Sequence, residues 1–72
     1  MEKFLVIKAP SFRQKNAGGF VTFVMVVEAK SAKAAIAAAQ SDNAFLDDDA
    51  GRSGVYSKAT AKPLEVGVLY RL

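Results

Sequence analysis

The polar cluster whose residue types best suit ligand chemistry is Phe12-Arg13-Gln14-Lys15-Asn16, which joins one aromatic ring to two cations and two amides. Cations neutralise phosphates, and rings stack on unpaired bases whatever their identity. Phe12, Arg13 and Lys15 are therefore candidate contacts for single-stranded nucleic acid. Tyr56, Lys58 and Lys62 offer the same two chemistries later in the chain and could extend a basic, aromatic edge. The competing reading is a solvated hairpin tip whose Phe12 folds back onto the core.

Catalytic chemistry finds little to work with. The chain has no His and no Cys. Ser–His and Cys–His nucleophile pairs are thereby excluded, together with disulfides and the commonest zinc ligands. A Ser–Lys pair is compatible with the composition, but no spacing supports one. Asp47-Asp48-Asp49 followed by Gly51 has the look of a calcium loop, yet the twelfth position from Asp47 is Lys58, where a bidentate acid is required. Nothing places two of Glu28, Asp47, Asp48, Asp49 and Glu65 in one apolar pocket, as acid–base catalysis would need. Gly18-Gly19 and Gly51-Arg52-Ser53-Gly54 lack the strand and the Lys-Ser/Thr of a phosphate loop. The reading is a non-enzymatic protein without cofactor or metal.

Size and charge narrow the partners. With 72 residues the chain is expected to hold one domain. A domain of that length buries only roughly 60% of its unfolded surface, so self-association is a natural aid to stability. Hydrophobic residues make up 51% and charged ones 24%, the balance of an ordered globular chain. A net charge of +3 excludes an acidic nucleic-acid mimic. The longest apolar run, Phe20 to Val27, is far short of the ~20 residues a membrane helix needs. The start lacks the long apolar run of a signal peptide. No membrane partner is expected, and the chain reads as cytoplasmic.

The elements that must position these groups follow from pattern. Residues 3–9 read as a strand stopped by Pro10, and 10–19 as a loop in which Gly18-Gly19 permits the turn. Residues 20–29 form the strongest strand, making an antiparallel hairpin with the first. Ser31 is a suitable N-cap for an Ala-rich helix over 32–40, whose buried stripe would be Ala32, Ala35, Ile36 and Ala39. Phe45-Leu46 look like an apolar anchor, and 47–54 a polar loop. Residues 55–61 have weak strand character, Pro63 marks a turn, and 64–71 read as a final strand. The fold class is α+β: a three- to four-stranded, mainly antiparallel sheet with one helix on one face, in the order β-β-α-(β)-β.

The strands are apolar on both sides. In the second, Phe20, Thr22, Val24 and Val26 alternate with Val21, Phe23, Met25 and Val27. One short helix, roughly 15 Å long, covers only one face. An uncovered face of this kind marks an interface, and Val21, Phe23, Met25 and Val27 are assigned to it as a dimer or docking face. The alternative cover is the 41–54 segment, through Phe45 and Leu46. The expected function is a homodimeric binding protein for nucleic acid, single-stranded by preference. Small α+β chains of this size are common among phage-encoded accessory proteins, so an inhibitor of a host protein or nucleoprotein complex, acting in the host cytoplasm, is the alternative. A structural or assembly role is the third.

Overall fold

In a computed structural model of the chain, residues 1–10, 21–46 and 56–70 are described. Three strands form one antiparallel sheet: β1 (Glu2–Lys8), β2 (Phe23–Ala29) and β3 (Thr60–Pro63), in the order β2-β1-β3. β1 lies in the middle, and five consecutive residues, Phe4 to Lys8, are buried although they alternate between faces, so this strand is covered on both sides. β2 pairs with β1 from Glu2–Ala29 to Lys8–Phe23, and β3 pairs from Phe4–Pro63 to Ile7–Thr60.

One helix, α1 (Ala32–Ala39), packs on one side. Ser31 starts it as expected: its backbone is extended, and its Oγ accepts from the Ala34 N–H at 3.2 Å. Ala35 and Ala39 are fully buried, with Ala32 and Ile36 partly so, which is the stripe read from the sequence. Side chains this small let the helix lie close on the sheet. A 3-10 turn (Asn43–Phe45) follows, capped by Asp42, whose carboxylate accepts from the Ala44 N–H at 2.9 Å. It delivers Phe45 into the core with Phe4, Val6, Ala29, Ala35, Ala39 and Ala59.

The last strand lies earlier than its apolar pattern suggests. It occupies Thr60–Pro63, and residues 64–70 leave the ladder in a turn at Val66–Gly67. The Leu64 N–H still donates to the Lys3 carbonyl at 2.9 Å. One step further, this register would set Glu65 opposite Glu2, and like charges directly opposed are destabilising. Gly67, with φ 81°, makes the turn possible. The Tyr70 hydroxyl then closes it, donating to the Pro63 carbonyl at 2.8 Å and accepting from the Glu65 N–H at 2.7 Å.

The row of β2 expected to face away from the helix lies against it: Phe23, Met25 and Val27 share the helix side with Phe4 and Val6 and pack against the core. Alternation alone leaves this choice open, because both rows of β2 are apolar. The other row, Val24 and Val26, is 38% and 54% exposed on the face opposite the helix, where Leu5 and Ile7 of the central strand are nonetheless buried. Phe45 belongs to the helix-side core and Leu46 is exposed, while residues 47–54 of the alternative cover lie outside the described residues. Val21 is exposed and precedes β2.

Candidate nucleic-acid interface

Beyond Lys8 the central strand leaves regular pairing but stays tied to the segment before β3. The Ser57 N–H and Ser57 Oγ both donate to the Ala9 carbonyl, each at 2.9 Å, and Pro10 forms an isolated antiparallel bridge with Tyr56. From the Ile7–Thr60 pair to this bridge the chain advances three positions on one side and four on the other. The extra residue interrupts the ladder in the manner of a bulge, a device that re-aims side chains at a sheet's end. Pro10 suits the place because it lacks the N–H that regular pairing would demand.

This junction positions two of the candidate residues. Tyr56 is partly buried, its ring 5.5 Å from that of Phe23 and inclined at 47°. Phe23 in turn meets Phe45 edge-on, with centroids 6.3 Å apart, so the Tyr56 ring continues an aromatic row out of the core. Lys58, two residues on, is exposed. Phe12, Arg13 and Lys15 lie outside the described residues. In sequence they follow Pro10 by two, three and five positions.

Lys62 does not join this group. Its register partner is Leu5, which places it on the face opposite the helix, whereas the Tyr56 ring packs with Phe23 on the helix side. Its ammonium instead stands 5.7 Å from the centroid of the Tyr70 ring, within cation–π range. Lys3, on the same face, is the register partner of Glu28. On that face Val24 and Val26 are exposed, Leu5 and Ile7 are buried, and charges of both signs stand at the border.

Two structural contacts had no distinctive sequence signal. Tyr70 reads as one more residue of an apolar strand, and its clip depends on a turn that the apolar pattern hides. Lys8 is only 4% exposed and donates from its ammonium to the Leu46 carbonyl. Among the described residues no group of His, Cys, Asp and Glu could hold a metal ion. No described helix is long and apolar enough to cross a membrane. Comparison with protein families, curated proteins and solved structures returns no match to this chain.

Proposed function

We propose that the chain is a non-enzymatic binding domain for single-stranded nucleic acid, with its contact surface at the junction of Ala9–Pro10 with Tyr56–Lys58. The observation that supports this reading is the fastening of Ala9 by Ser57 and of Pro10 by Tyr56. It holds Pro10, two positions before Phe12 in sequence, beside a ring and an exposed lysine. Phe12 follows Pro10 by two positions, a reach of at most about 7 Å. A ring and an exposed cation at one end of a small sheet suit base stacking and phosphate neutralisation, and a sequence pI of about 9.5 favours an anionic partner.

Fluorescence anisotropy with a labelled single-stranded oligonucleotide tests it. Binding is expected at low salt and should weaken on a log–log plot with a slope near −0.7 for each phosphate neutralised. Lys58→Ala should reduce that slope by about one such contact and Tyr56→Ala should weaken binding at every salt concentration. Absence of binding at low salt removes the proposal.

A protein partner is the second reading, favoured by the exposure of Val24 and Val26 on the face opposite the helix. It predicts binding that survives nuclease treatment and high salt, and is lost in Val24→Lys.

A further inference from the structure

The two edges of the sheet differ in a way that bears on what this domain pairs with. β3 forms one edge and is guarded: it is four residues long, exposes Lys62 and ends in Pro63. Short length, Lys and Pro are the features by which edge strands avoid adding another strand. β2, at the other edge, has none of them. It runs seven residues, Phe-Val-Met-Val-Val-Glu-Ala, without Pro, Gly or Lys, and among the described residues no strand lies on its outer side.

Both rows of β2 are incompletely covered at that edge. Phe23, Met25 and Val27 remain only partly buried against the core, and Val24 and Val26 are exposed on the opposite face. A ligand on Val24 and Val26 alone would leave the first row unfinished, and a segment over the helix would leave the second. A strand added along the edge flanks both rows at once while pairing the outward N–H and C=O groups.

We infer that this edge pairs with β2 of a second copy of the chain, antiparallel and about a two-fold axis at Val26, giving a six-stranded sheet with both helices on the same side. The strand's own side chains select this mate. Glu28 is the one charge in β2 and stands near its end. Antiparallel pairing sends the two Glu28 side chains to opposite ends, whereas parallel pairing in register would set them side by side. Lys3, its partner across β1, supplies a compensating charge within each copy. With the axis at Val26, the middle residue of the strand, all seven residues pair. Phe23 meets Ala29, Met25 meets Val27, Val24 meets Glu28, and Val26 meets its own counterpart. The bulkiest side chain thus faces the smallest, and no like charges are opposed. The interface is isologous and closes at two copies. It stands apart from the nucleic-acid reading, since it uses the outer edge of β2 and not the Tyr56–Lys58 junction.

Sedimentation velocity over a wide concentration range, combined with a charge exchange at the axis, tests the inference. The wild type should convert from monomer to dimer with concentration. Val26→Lys and Val26→Glu each place like charges at the two-fold axis and should weaken the dimer at least about tenfold. Mixing the two variants should restore association. Val26 is half exposed, so folding should survive both changes, and far-UV circular dichroism checks it. Amide exchange of the wild type gives a readout without mutation: protection of β2 outer-edge amides should rise with protein concentration. A wild type that stays monomeric, assemblies that grow beyond two copies, or variants that fold but do not recover on mixing would each overturn it.

Discussion

Lys8 and Leu46 are joined across most of the fold: the lysine ammonium, at the end of the central strand, donates to the leucine's backbone carbonyl just past the 3-10 turn. The contact ties the sheet to the segment that delivers Phe45. It carries a cost as well, because a buried ammonium has given up its water. The Lys8 stem lies on the helix side, where its register partner is Phe23.

Packing and charge at Lys8 can be separated by two substitutions. Lys8→Ala removes the stem and the donor and should lower unfolding stability by about 2 kcal/mol. Lys8→Met keeps most of the stem and abolishes the desolvated charge, while the exposed Leu46 leaves water access to its carbonyl. That variant should stay within about 1 kcal/mol of wild type. Urea denaturation measures both, and equal losses would show that the ammonium, not the stem, matters.

The close seat of α1 rests on Ala35. A larger side chain there has nowhere to go, since the residue is fully buried beneath the helix. Ala35→Leu should cost about 1–3 kcal/mol by overpacking, which in a domain of this size lowers Tm by at least about 4 °C. The same change at exposed Ala37 should move Tm by less than about 2 °C.

The turn after β3 depends on Gly67. Its positive φ is strained for side chains, although no heavy atom lies within 4 Å of where a Cβ would sit. Gly67→Ala should therefore disfavour the turn by about 1–2 kcal/mol through backbone strain alone. Gly67→Asn should do so less, because Asn tolerates left-handed backbone. Hydrogen exchange at the Glu65 amide, whose N–H donates to Tyr70, reports the turn directly.

Tyr70→Phe removes the clip without changing the ring over which Lys62 stands. Both backbone groups it satisfies belong to exposed residues, so water can replace the hydroxyl. Global stability should fall by no more than about 1 kcal/mol, while exchange at Glu65 accelerates.

Much of this architecture is written in local pattern. The Ser31 cap, the alanine stripe and the Phe45 anchor could be read because each depends on residues near in sequence. β1 could be read because a β-rich run ends at Pro10. The face of β2 that meets the helix could not, since Val24 and Val26 are as apolar as Phe23 and Met25 and only the tertiary partner decides. The position of β3 was obscured for a related reason. Leu64, Val66, Val68 and Tyr70 have better strand chemistry than Thr60 to Pro63, but Glu65 would meet Glu2 and the small Ala61 suits the space against the helix-side core. Pro63 looked like a stop, yet an edge strand accommodates it. Of the candidate site, Tyr56 and Lys58 come to one junction, and Lys62 goes to the other face because alternation along β3 puts it opposite Ala61's side.

Amide chemical-shift mapping with a short single-stranded oligonucleotide at low salt reads the proposed contact surface residue by residue. Perturbations should concentrate at Ala9, Tyr56, Ser57 and Lys58 and fade as salt is added. An unchanged spectrum, or shifts confined to Val24 and Val26, would contradict a nucleic-acid contact at this junction.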